Sequence, residues 1–215
     1  MKRKKKQSAN SSPPPGISFI VSAYDDPVSL ACCLWSLAGQ THRNIEVIVT
    51  DNAEDARISR AQAAVVKQVQ SALPHMRYER THGKLETQDC YHSAEWGARR
   101  ARGTFLCFPC DDCYYVPQFA QRMLGTAYGK CLDFVECGVI GGPEMTGISV
   151  YLPMEWRTIK SNFIIKASAF NKLGFSGKTT RENPVPSAAD QELGRQVRKQ
   201  GYPWGKMTDV MVVHN

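Results

Sequence analysis

The sequence predicts an α/β domain built on a mixed, mainly parallel sheet flanked by helices. Three observations carry that prediction. Apolar strand-like runs alternate with helical repeats through the first half of the chain, the pattern of a parallel sheet with right-handed crossovers. Two of the runs end in acidic residues, at Asp51 and at Asp111-Asp112. Ligands of such sheets bind outside the carboxyl ends of the strands, so these residues are expected to converge on one crevice. The length of 215 residues, 42% of them hydrophobic, suits one domain with a sizeable core and excludes a disordered chain.

The elements follow in order. Residues 1–15 read as a basic, then Ser/Pro-rich, disordered tail, and 16–215 as the single folded domain. Residues 17–22 form a buried strand. Pro27 opens a helix in which Leu30, Cys33, Leu34 and Leu37 recur on one face. A second strand, 45–50, ends at Asp51-Asn52, and an alanine- and glutamine-rich helix spans 56–72. A short strand at 75–80 precedes a helix over 90–102, which ends near Gly103. The strand 104–108 runs straight into Pro109-Cys-Asp-Asp-Cys113. Then come a helix over 117–128, extended stretches at 133–140 and 148–152, a strand at 161–166 and a short helix at 167–173. A loop rich in Gly, Thr, Asn and Pro covers 174–187, a helix 188–200 turns Leu193 and Val197 inward, and 210–213 is the last strand. There is no internal repeat.

The formal net charge is +7, and five of the positive charges lie in residues 2–6. The remaining 22 basic and 20 acidic side chains leave a nearly neutral body. The basic tail can touch anionic lipid or nucleic acid, or remain a solvated terminus. No apolar run approaches the ~18 residues of a membrane helix. The basic start leads into Ser and Pro rather than an apolar stretch, so it does not read as a secretory signal. A cytoplasmic protein is expected, with peripheral contact to a membrane surface as an open alternative. Eight cysteines without a secretory signal do not imply a disulfide framework. Cys107, Cys110 and Cys113 share the spacing of an iron–sulfur run, but no cysteine stands near Pro117 to complete it. Cys107 is expected to face the core.

Several familiar motifs fail. Gly174–Thr180 looks like a phosphate loop, but Lys172 occupies the position of its first glycine. Neither G-x-G-x-x-G nor H-E-x-x-H occurs. The Asp111-Asp112 pair is stronger. Adjacent carboxylates repel, and at a strand end they suit a hard divalent cation that bridges to phosphates. A solvated turn is the ordinary alternative.

Larger patterns extend this reading. Ser22-Ala-Tyr-Asp25 follows the first strand, Cys33-Leu-Trp-Ser-Leu-Ala-Gly-Gln-Thr41 lies on the first helix, and Asn44-Ile-Glu-Val-Ile-Val-Thr-Asp51 covers the second strand. Ala101-Arg-Gly-Thr-Phe-Leu-Cys-Phe108 precedes the acidic pair, and Ala189-Asp190-Gln-Glu-Leu193 opens the late helix. Together and in this order they resemble glycosyltransferase family 2, over roughly residues 17–215. The resemblance implies a GT-A type, Rossmann-like fold. It implies a metal-dependent, inverting transfer of a sugar from a nucleotide diphosphate donor, a UDP-sugar above all, to an unknown acceptor hydroxyl. Ala23, Tyr24, Asp51 and Asp111 would bind the nucleotide, Tyr24 lining the base pocket and Asp51 accepting the base's ring N–H. Asp112 and His214 would hold Mn2+ or Mg2+, and Asp190 would be the general base. The 141–156 segment, with Glu144, Tyr151, Glu155 and Trp156, would build the acceptor side, and the 174–187 loop would order over the donor. The chain departs from the pattern in three places. Cys110 replaces the first Asp of the D-x-D motif, Ala189 replaces a Glu, and Glu95 stands where an Asn is common and receives no role. The first two departures favour an alternative, a catalytically inactive nucleotide-binding protein. The basic tail alone favours another, a glycosyltransferase acting on nucleic acid.

Overall fold

The computed structural model describes residues 16–85, 90–141, 150–151, 161–175 and 189–214. The expected tail at 1–15, nearly all of the 141–156 segment and most of the 174–187 loop lie outside the described residues. In chain order the elements are β1 (Ile17–Ala23), α1 (Pro27–Ala38), β2 (Ile45–Asp51), α2 (Ala56–Val69), β3 (Met76–Arg80), α3 (Cys90–Ala98), β4 (Phe105–Cys107) and β5 (Cys113–Tyr115). They continue with α4 (Phe119–Gly129), β6 (Phe134–Gly141), β7 (Val150–Tyr151), β8 (Phe163–Lys166), α5 (Ala167–Leu173), α6 (Ala189–Lys199) and β9 (Trp204–His214).

The strands form one sheet in the order β3-β2-β1-β4-β8-β6-β9-β5, with β7 paired to β6. The first four are parallel, as the strand–helix alternation predicts, and their register aligns Ala23, Asp51 and Arg80 at one end. β8 runs antiparallel to both β4 and β6, β9 runs parallel to β6, and β5 runs antiparallel to β9. The sheet is therefore mixed, and its parallel half presents carboxyl ends on one edge.

β1 is buried along its whole length because helices cover both faces. Phe19, Val21 and Ala23 pack with Leu30, Cys33 and Leu34 of α1, while Ile20 points to the opposite cluster with Ala94, Ala189 and Leu193. α1 begins where expected because Asp26 caps it. One carboxylate oxygen accepts the N–H groups of Val28 (2.9 Å) and Ser29 (3.1 Å), and Pro27 supplies the helical φ at the first turn. Gly103 lies so close to β1 that a Cβ there would come within 2.6 Å of Ser18 N and 2.8 Å of Ile17 C.

The structure differs from the sequence reading in three ways. The three-residue strand β5 was not expected, because so short a run carries no period. β9 starts at Trp204, not Val210, its first half being disguised by Lys206, Thr208 and Asp209. α2 and α3 end at Val69 and Ala98, earlier than 72 and 102.

Opposite the carboxyl ends, Glu46 is fully buried. It accepts hydrogen bonds from Ser18 Oγ (2.6 Å), the Arg102 N–H (2.8 Å), Arg102 Nε (2.9 Å) and Arg77 Nη2 (3.0 Å). Burial pushes its carboxyl up, but these donors outweigh burial and hold it below the usual carboxylate range. A depressed pKa contributes stability that is present above the unfolded value and lost as pH falls through the folded one. Glu46→Gln should therefore lower stability by about 2 kcal/mol near neutral pH, and by less as pH falls below about 4. Urea unfolding of both proteins across that range checks it. Gly103→Ala should lose about 2 kcal/mol in the same assay at any pH.

Candidate functional site

The segment that follows β4 is built against the end of β1. Ser22 N–H donates to Pro109 O (3.0 Å), and Asp111 N–H donates to Ser22 O (3.2 Å). Tyr24 N–H then donates to Asp111 Oδ2 (3.0 Å). Residues 110–113 form a turn closed by Cys113 N–H to Cys110 O (3.2 Å). α1 braces the far side. Ser36 Oγ accepts Tyr115 N–H (3.2 Å) and donates to Cys33 O (2.7 Å). The buried Gln40 amide donates to Val116 O (2.9 Å) and accepts Ala120 N–H (2.9 Å), while Thr41 N–H reaches Pro117 O (2.8 Å). The Ser, Gln and Thr of the 33–41 pattern thus anchor the chain that leaves the acidic turn.

These contacts shape an open cleft of about 190 Å³ at the carboxyl ends, lined by Ala23, Tyr24, Asn52, Ser93, Cys110 and Asp111, among others. A crevice is present at the carboxyl ends, with Ala23, Tyr24 and Asp111 on its wall, but of the acids expected to converge there Asp51 and Asp112 are not among its lining residues. Tyr24 is 45% exposed there, unusually open for so large a ring. Ala23 is buried and its carbonyl accepts Asn52 N–H (2.9 Å). Asp111 is pushed up to about 7 by burial, against the Tyr24 N–H bond, with Cys110 and Asp112 adding to the rise. Asp112 is half-buried, and its Oδ1 lies 3.7 Å from Cys113 Sγ.

Asp51 is fully buried, one residue behind the cleft-lining Asn52. Its Oδ1 accepts Ala53 N–H (2.8 Å), and its Oδ2 accepts the hydroxyls of Ser59 and Tyr78. Its carbonyl takes Thr81 N–H (2.7 Å) and Thr81 Oγ1 (3.0 Å). Tyr78 is pushed up to about 12 by burial and by Asp51. Among the described residues three protein donors reach its carboxylate. Ser59, Tyr78 and Thr81 are functional neighbours that no sequence spacing joins, because they come from α2, β3 and the residue after β3.

Asp190 lies in the first turn of α6, half-buried, with Oδ1 accepting Gln191 N–H (2.8 Å). It is not among the residues that line the cleft. The backbone of His214 pairs with Cys113, directly after Asp112. The His214 side chain lies outside the described residues. Glu95 has a role that the sequence reading did not assign. Its Oε1 accepts Phe175 N–H (2.8 Å) and ties α3 to the residues entering the 176–188 segment. Among the described residues no three His, Cys, Asp or Glu side chains are grouped to hold a metal ion by themselves. Cys107 is fully buried, as expected.

Asp111 generates a pH prediction. A carboxyl whose folded pKa is raised contributes stability that is complete below its ordinary value and lost as pH rises through the folded one. In the absence of divalent cations, wild type should lose stability as pH rises through about 7, and Asp111→Asn should flatten that decline. Thermal unfolding of the two proteins over that range measures it.

Known proteins were compared against this geometry. The family model of Glycosyl transferase family 2 matches residues 18–181. The putative glycosyltransferase EpsH of Bacillus subtilis is 32% identical over 134 residues, 62% of this chain and 36% of EpsH. An uncharacterized glycosyltransferase of Haemophilus influenzae is 30% identical over 109 residues, 50% of this chain and 33% of that protein. The chain thus spans about a third of the length of these relatives. Among solved structures, S. aureus TarS superposes with a TM-score of 0.72 at 16% identity, over 93% of this chain and 36% of TarS. The mannosyltransferase PcManGT of Pyrobaculum calidifontis, solved with GDP-Man and Mn2+, superposes with a TM-score of 0.71 at 15% identity, over 99% of this chain and 60% of that one. Both share the mixed sheet with flanking helices, the GT-A fold expected from the sequence. With a match across most of its length, the chain belongs to glycosyl transferase family 2.

Proposed function

We propose that the domain transfers a sugar from a nucleotide diphosphate donor, a UDP-sugar first, to an acceptor hydroxyl, with inversion at the anomeric carbon. The observation that carries the reading is the acidic turn clamped against β1, which puts Tyr24 and Asp111 on one open cleft. Structures of TarS 1-349 with UDP and with UDP-GlcNAc, and of PcManGT with GDP-Man, support a nucleotide-sugar donor.

The exposed Tyr24 ring suits stacking against the base. Asp51 fixes the 51–59 segment through Ala53 and Ser59 and so holds Asn52 on the cleft wall, and the family resemblance further assigns it the base's ring N–H. Asp111 suits the ribose, taking over from the Asp that Cys110 replaces.

A hard divalent cation fits the donor set at the turn. Mn2+ and Mg2+ need only one or two protein carboxylates and complete their shell with phosphates and water. Asp112 would hold the ion with His214 as second ligand, a pairing supported by the Cys113–His214 register. Once bound, the ion would neutralise the leaving diphosphate.

Asp190 takes the acceptor proton as the new bond forms. One positioned base and no covalent intermediate give inversion. Ala189 is buried in the core beside Leu193, so of the family's acidic pair this chain keeps only the member at 190.

Asp190→Asn should lower the rate of donor hydrolysis or transfer by about 10²–10⁴, with nucleotide affinity retained. A panel of UDP-, GDP- and dTDP-sugars, with nucleotide release and the anomeric NMR signal of the product as readouts, tests this. Full rate in Asp190→Asn, or a product of retained configuration, contradicts the assignment. Nucleotide binding without turnover of any donor selects the inactive-binder alternative.

A further inference from the structure

The sulfur chemistry under the acidic turn is not used by the transfer reaction. All eight cysteines are in the thiol form. Cys110 and Cys113 occupy the two ends of the turn, closed by Cys113 N–H to Cys110 O at 3.2 Å. Such a turn brings its terminal Cα atoms within ~7 Å, overlapping the ~4.4–6.8 Å span of a disulfide. Cys110 and Cys113 are separated by two residues, the spacing of Cys-X-X-Cys dithiols. Their surroundings are unequal. Cys110 is half-buried and lines the cleft, so a small oxidant reaches it, while Cys113 is fully buried beside it. An accessible thiol next to a shielded resolving thiol is the arrangement of a redox pair. The buried Cys33 thiol instead points at the Cys110 carbonyl, 3.7 Å away.

We propose that Cys110 and Cys113 are an oxidative modification site, a dithiol that closes reversibly into a disulfide across Asp111-Asp112 and weakens nucleotide binding. The second half rests on the donor-site reading above. Hydrogen peroxide oxidises the Cys110 thiol to a sulfenic acid and leaves as water. The Cys113 sulfur attacks that sulfur, the S–S bond forms, and a second water departs with the Cys113 proton. Two hydrogens and two electrons pass to one peroxide. Dithiothreitol reverses the step and becomes the cyclic disulfide.

Closure acts on the site because both carboxylates lie inside the new ring. The Cys113 sulfur gives up its contact with Asp112 Oδ1. The turn that carries Asp111 to the Tyr24 N–H and to Ser22 must also readjust.

The test uses the full chain. Reduced and peroxide-treated samples are alkylated and digested with trypsin, and the 103–122 peptide is fragmented by mass spectrometry. A loss of two hydrogens mapped between 110 and 113 is expected, absent in Cys113→Ser and retained in Cys107→Ser and Cys90→Ser. In parallel, the thermal shift produced by UDP with Mn2+ should weaken by about fivefold in apparent affinity on oxidation and recover with dithiothreitol. Both thiols remaining alkylatable after peroxide overturns the bridge. A bridge that leaves the nucleotide response unchanged overturns the switch. Reduced protein that ignores every nucleotide overturns the donor-site reading and the switch with it, while the peptide mass still reports separately on the bridge.

Discussion

The candidate site depends on one clamp, the backbone of β1 gripping the turn after β4. Ser22 exchanges hydrogen bonds with Pro109 and Asp111, and Tyr24 N–H reaches the Asp111 carboxylate. A pair of neighbouring acids would otherwise splay apart in water. Here the chain just after the turn is also tied down, by Ser36 of α1 and by Gln40 and Thr41 just past its end. One stretch of chain, residues 17–41, therefore supplies the central strand, one wall of the cleft and the brace behind the acids.

The two ends of β2 divide stability and function. At its start Glu46 is satisfied by Ser18, Arg77 and Arg102, an arrangement that joins three parallel strands and the loop after α3. At its end Asp51 is satisfied by Ala53, Ser59 and Tyr78, which fixes the loop beside the cleft. Both carboxylates are fully buried. Removing either one's partners would strand a buried charge, so neither neighbourhood tolerates drift. Asp111 has the opposite environment. It is largely desolvated, and burial with the neighbouring Cys110 and Asp112 raises its pKa against the bond from Tyr24 N–H. A cation nearby would supply what the protein leaves out.

Much of this was legible in the sequence, for physical reasons. β1 and β2 are covered on both faces, so they read as continuous apolar runs. α1 carries its cap at Asp26 and its apolar stripe in plain view. A crevice beside Asp111 followed from the rule that ligands bind at the carboxyl ends of parallel strands, while Tyr24's place on it was implied by the family resemblance. The illegible parts are those held by distant partners. β5 is three residues long and exists because β9 pairs with it from about 100 positions away. The first half of β9 carries Lys206 and Asp209, which hide its strand character. Ser59 and Tyr78 reach Asp51 only once α2 and β3 are folded, and Glu95 reaches Phe175 across 80 residues. Asp190 lies on its expected helix, outside the residues that line the cleft.

The central claim is that the clamped acidic turn binds a nucleotide diphosphate together with a divalent cation. Its most direct test is thermal stabilisation of wild type and Asp112→Ala by UDP, GDP, dTDP and CDP, each with and without Mn2+. A ligand that binds only the folded protein must raise its stability. The account predicts a shift with one nucleotide that requires the metal and disappears in Asp112→Ala. A shift of equal size without metal, or one that survives in Asp112→Ala, would contradict it.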